Sequence, residues 1–218
     1  MRFSDHLRQR GDELWEAQLA HPFIQGIADG TLSEERFRVW LRQDYAYLLD
    51  YVRVASLGVT RAPDEETMKR FAETAHRVLG MELDLHRGYA AEFGVTTEEL
   101  ESEEMMPATR AYVDHLMRTA LIGEVAELPA ALLPCIWGYS WIGERLGERP
   151  LPAEPRYARW IELYGSERFH DVVVWCRELT DRLAAEGSPR VREQAEQAFM
   201  RSSRHELACW TQAWEAGS

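Results

Sequence analysis

Three residues carry a chemistry at odds with the apolar helical faces they occupy. Cys135 sits in Leu132-Leu133-Pro134-Cys135-Ile136-Trp137-Gly138-Tyr139, with a tyrosine hydroxyl one turn later on the same face. A cysteine in such a stretch is ordinarily a small inert hydrophobe. It becomes a nucleophile where a neighbouring acid/base group supports the thiolate. Asp44 is flanked by Trp40, Leu41, Tyr47 and Leu48 at spacings of three and four, which places a carboxylate in an apolar stripe. Burying it is costly unless a hydrogen-bond partner offsets the lost hydration. Glu206 shares its face with Phe199, Ser202, Ser203 and Trp210, and apolar surroundings would raise its pKa toward the range useful to a general acid. Each also has a plain structural reading: a packed thiol, an aspartate tied to a neighbouring helix, a glutamate at the margin of an amphipathic helix.

Tyr112 and Tyr164 stand among apolar neighbours and either line a pocket or bridge helices through their hydroxyls. Glu82 and His86 are four residues apart on one helix, and an ion pair is the expectation, since no matching carboxylate–histidine pair occurs on a second helix. Cys176 and Cys209 read as packing. The three cysteines, widely spaced and without a CxxC or Cys/His pattern, suggest neither a disulfide framework nor a zinc site.

The elements that must position these residues are helical throughout, with no convincing run of strand alternation. The spacing predicts a helix over 3–20, a short one after His21-Pro22, and a long one opening at Ser33 and running to 58–61. Another is expected from Pro63-Asp64 to Phe93-Gly94, a short one at Thr97, and one from Pro107 to Ile122. The Cys135 helix begins near Pro129 and ends near Leu146-Gly147. A proline-rich loop follows at 148–155, then helices at 156–163, 167–186 and 189–214. The fold class is all-α, and residues 1–218 are expected to form a single domain.

With a formal net charge of −12 and a pI near 5.1, the surface would repel phosphate backbones, which argues against nucleic acid and anionic membranes. No segment has the length of a membrane span, and the N-terminal stretch lacks a signal-peptide pattern, so a cytoplasmic location is expected.

Taken in order, several segments resemble the TenA/thiaminase II family of aminopyrimidine hydrolases, in its cysteine-containing branch. They are His21-Pro22-Phe23, Gly30-Thr31-Leu32, Gln43 to Leu48, Pro134 to Tyr139, Trp160 to Tyr164, and Ser203 to Trp210. The resemblance implies a helical bundle like that of haem oxygenase, usually a homotetramer, with no metal or organic cofactor. It implies hydrolysis of 4-amino-5-aminomethyl-2-methylpyrimidine to the hydroxymethyl pyrimidine and ammonia in thiamine salvage, and in many members cleavage of thiamine itself. By the same resemblance Cys135 would attack the pyrimidine ring, Glu206 would serve as acid/base, and Asp44 would bind the ring's amino group and adjacent nitrogen and help to poise the thiol. Tyr47 would stack on the ring, and Tyr112, Tyr139 and Tyr164 would supply hydroxyls or a ring face. His205 and Cys209 depart from the family's usual aromatic residues at those positions. Two other readings are a haem- or di-iron-dependent oxidase on the same scaffold, which needs converging histidines and carboxylates, and a non-catalytic pyrimidine- or thiamine-binding protein.

Overall fold

The computed structural model describes residues 1–217, and every regular element among them is helical. In chain order these are α1 (Phe3–Arg10), α2 (Asp12–Leu19), α3 (Pro22–Asp29), α4 (Glu34–Arg61), α5 (Glu65–Arg77), a π-helical turn (Val78–Glu82) and α6 (Leu83–Glu92). Then come α7 (Thr97–Ser102), α8 (Pro107–Ile122), α9 (Glu127–Gly147), α10 (Pro155–Tyr164), α11 (Glu167–Glu186) and α12 (Pro189–Ala216). The all-α expectation and most boundaries agree with this order.

The sequence itself marks many of the helix starts. Ser33 accepts from the Arg36 amide, Asp64 from Thr67 and Ser188 from Val191, each satisfying an amide that the helix leaves unpaired. Thr96 and Glu99 form a reciprocal capping box on α7. Pro22, Pro107, Pro155 and Pro189 occupy first-turn positions, where no amide is needed.

Two expected helices are interrupted. The run over 3–20 breaks at Gly11, where a side chain would meet Phe199 of α12: a Cβ there would lie 2.8 Å from the Phe199 ring. The close approach of α12 leaves room only for glycine there, which hydrophobic periodicity does not reveal. The run from Asp64 to Gly94 is split by the π-helical turn, whose extra residue shifts the phase of the faces before and after it. Arg77 before the turn, Val78 and Glu82 at its two ends, and Leu85 and His86 after it all line one cavity.

The centre of the molecule is α9, packed against α8, α10, α11 and α12. Every residue from Leu128 to Pro134 is buried, as befits a helix that is apolar all round. The helix continues through Pro134 although proline removes one backbone donor. Two indole bonds pin α12 to α2: Trp15 Nε1 donates to Ser203 Oγ at 3.2 Å, and Trp210 Nε1 to Gln18 Oε1 at 3.3 Å. Ser203 and Trp210 share the face of Glu206, so these bonds also fix the direction in which Glu206 points.

Candidate active site

Helices α4, α6, α8, α9, α10 and α12 enclose a cavity of about 570 Å³. All the residues singled out for chemistry line it: Cys135 and Tyr139 from α9, Glu206 from α12, Asp44 and Tyr47 from α4, Tyr112 from α8 and Tyr164 from α10. They are separated by up to 162 positions in the chain, between Asp44 and Glu206. The walls are aromatic. Tyr164 packs against Tyr139 at 4.9 Å and Trp160 at 4.7 Å between ring centroids, and Trp40 Nε1 approaches the Tyr139 hydroxyl at 3.4 Å.

Glu206 is 3% exposed. Burial raises its carboxyl to about 8; the nearby Tyr112 hydroxyl works against that shift and the Asp44 charge adds to it. Asp44 opens onto the cavity and is raised to about 7, by burial first and by the Glu82 charge second. Both acids therefore hold a substantial protonated fraction near neutrality, which suits proton donation within an apolar site.

Burial pushes the Cys135 thiol well above its ordinary range, and the Glu206 charge pushes it further. Tyr47 and Tyr112 lie close enough to favour the thiolate and oppose that shift. In the resting site the thiol donates to the Leu132 carbonyl at 3.1 Å. The hydroxyls of Tyr47 and Tyr112 and Oε1 of Glu206 are buried without a formed hydrogen bond. Unpartnered polar atoms converging on an apolar cavity are costly unless a ligand satisfies them, so their placement points to a polar, flat guest.

His205, one of the two departures in sequence, stacks on Tyr112 with ring centroids 5.4 Å apart and 14° between planes, so an imidazole fills the expected aromatic position. Cys209, expected only to pack, corrects that expectation. Three residues after Glu206, it lines the cavity, and its thiol is raised by burial and by the Glu206 and Asp44 charges. The i+3 spacing from Glu206 is the signal that would have placed it there. Cys176 is packing: it is fully buried, with its thiol toward the Pro129 carbonyl at 3.5 Å.

The expected Glu82–His86 pair does not form. Glu82 meets Arg77 at 3.0 Å, and His86 turns to α4, with Nε2 2.8 Å from the Leu41 carbonyl and Nδ1 3.6 Å from Asp44 Oδ2. Tyr51, one turn after Tyr47, also lines the site. Among the described residues no three metal-ligating side chains converge. The histidines have other partners: His21 caps α3 and His205 stacks on Tyr112 and His115. Among the described residues no helix is long and apolar enough to cross a membrane.

Residues 8–216 match the TENA/THI-4/PQQC family. The chain belongs to that family. It is 38% identical over 98% of its length to an aminopyrimidine aminohydrolase of Halalkalibacterium halodurans, covering 96% of that protein. It is 36% identical to the enzyme of the same name from Bacillus subtilis, over 98% of this chain and 90% of the other. A TenA homologue from P. horikoshii OT3 superposes with a TM-score of 0.91 over the whole of both chains, at 26% identity. A domain with a heme oxygenase-like fold from Shewanella denitrificans superposes with a TM-score of 0.77 at 15% identity, covering 97% of this chain and 92% of that one, a likeness of fold alone. In this TENA/THI-4/PQQC chain the matched region contains every cavity-lining residue named above.

Proposed function

We propose that this protein is an aminopyrimidine aminohydrolase of thiamine salvage. Its substrate is 4-amino-5-aminomethyl-2-methylpyrimidine, its products are the 5-hydroxymethyl pyrimidine and ammonia, and thiamine is a second substrate that would release its thiazole. The observation that carries the reading is the meeting of one thiol and two proton-bearing carboxyls in a single aromatic cavity. The relatives named aminopyrimidine aminohydrolase supply the substrate class.

In this reading Asp44 accepts from the ring's amino group, while Tyr47 stacks on the ring face and Tyr112, Tyr139 and Tyr164 complete the wall. The Cys135 thiol adds to the ring: sulfur bonds to a ring carbon, and its proton passes to a ring nitrogen. The C–N bond to the side-chain amine then breaks, its electron pair leaving on nitrogen, and a proton from Glu206 completes ammonia. The resulting Glu206 carboxylate takes a proton from the water that adds to the exocyclic carbon. Expulsion of the sulfur, with return of the ring proton, regenerates the thiol. Splitting the displacement into capture and release is the gain that a covalent adduct provides. The high resting pKa of the thiol fits addition as a neutral S–H whose proton leaves during attack. We place the enzyme in the cytoplasm as a homotetramer, which light scattering on the purified protein tests.

The deciding experiment measures ammonia release from the aminomethyl pyrimidine by wild type, Cys135→Ser and Glu206→Gln. Turnover by wild type that is lost in both folded variants supports the reading. Absence of wild-type turnover on this compound and on thiamine overturns it.

A further inference from the structure

His86 is a buried cavity group that this chemistry leaves unused. It stands on α6, 9% exposed, against α4. Its Nε2 lies 2.8 Å from the Leu41 carbonyl oxygen. A carbonyl only accepts, so Nε2 carries the hydrogen, and in the neutral ring Nδ1 is then a bare acceptor. That lone pair lies 3.6 Å from Asp44 Oδ2, three residues along α4 from Leu41. Two acceptors face each other there, and they repel unless a proton lies between them. Burial resists the alternative of an imidazolium beside a carboxylate, holding His86 down to about 4 and Asp44 up to about 7. The proton therefore belongs on Asp44. At 3.6 Å the contact is longer than a formed hydrogen bond in the free protein.

We propose that His86 is a positioning residue for Asp44: its Nδ1 lone pair, held in place by the Leu41 carbonyl, anchors the proton-bearing oxygen, so that the other carboxyl oxygen faces the cavity as an acceptor for the N–H of a bound amino-heterocycle. Without this anchor either oxygen can carry the proton, and half of the carboxyl orientations present a hydrogen where the ligand also presents one. The inference rests on the aminohydrolase reading for the identity of the heterocycle, but the anchor itself is a property of the free protein.

The test compares His86→Gln with His86→Asn. Glutamine retains an N–H that reaches the Leu41 carbonyl but has no acceptor at the Nδ1 position, whereas asparagine places its Oδ1 there. Wild-type ammonia release fixes the baseline. We expect kcat/KM to fall at least about tenfold in His86→Gln and to recover in part in His86→Asn, since misplacing a reacting group by about 1 Å costs up to about a hundredfold. Equal activity in wild type and His86→Gln, or no advantage of Asn over Gln, overturns the proposal. If either variant fails to fold, or wild type shows no turnover, nitrogen-15 spectra of the wild-type histidines still decide it. A protonated Nε2 with a bare Nδ1 at neutral pH supports the anchor, and the opposite tautomer overturns it.

Discussion

The carboxyl of Glu206 and the thiol of Cys135 reach one cavity from α12 and α9, and the charge of the first opposes ionisation of the second. Burial lifts both groups, which favours a protonated Glu206 and a neutral Cys135 thiol at rest. A site built on a preformed thiolate would instead place a cation beside the sulfur.

Activity should therefore depend on Glu206 keeping its proton. We expect kcat/KM to decline as pH rises through about 8, the value to which burial lifts Glu206. Glu206→Gln should lower kcat by roughly 10²–10⁴-fold and lose that limb. Cys135→Ser should lose at least roughly 10³-fold. Ammonia release across pH 5–9 checks all three, and a profile flat through 8 would count against Glu206 as the acid.

The same state predicts sluggish thiols. Cys135 and Cys209 open to the cavity but are held protonated, while Cys176 is sealed in the core. Iodoacetamide at neutral pH should modify all three slowly, and faster as pH rises. Peptide mapping should find the label on Cys135 and Cys209 well before Cys176, and a bound pyrimidine should protect the first two.

Stability should pay for the acids' position. Asp44 and Glu206 hold protons more tightly in the folded chain than at their ordinary values of 3.8 and 4.5. The folded state binds more protons than the unfolded one between those values and about 7 and 8, so stability falls as pH rises across that window. Glu206→Gln removes its share of the loss. Its melting temperature should exceed that of wild type at pH 8 and approach it near pH 5, with about 2–4 °C for each kcal/mol. A larger advantage at pH 5 than at pH 8 would contradict the assignment.

Gly143 is where the back of the site is closest-packed. A Cβ there would lie 2.5 Å from the Gly165 amide nitrogen and 2.7 Å from the Tyr164 carbonyl carbon, backbone atoms that cannot swing aside. Gly143→Ala should displace Tyr164 from the cavity wall and cost about 1–3 kcal/mol, read by urea denaturation. KM should rise together with the loss of stability; an unchanged KM would show that Tyr164 does not shape the pocket.

By itself the sequence marked most of the helices and the candidate reactive groups. Periodicity and capping are local properties, so α4, α8, α11 and α12 could be bounded from Ser33, Pro107, Ser166 and Ser188 alone. A carboxylate on an apolar face, as at Asp44 and Glu206, is equally visible because polarity and spacing conflict within a few residues. Tertiary structure decided whatever depends on a second helix. Position 11 must be glycine because Phe199 of α12 occupies the space that a side chain would need. The partners of Glu82 and His86 are Arg77 for the first and Leu41 and Asp44 of α4 for the second, and their spacing on one helix does not reveal either. The Trp15 and Trp210 indole bonds that pin α12 to α2 join residues 188 and 192 positions apart, which no pattern within one helix specifies. Burial, and with it the protonation of Asp44, Glu206 and Cys135, is set by the solvent that neighbouring helices exclude, and no stretch of a single helix contains that information.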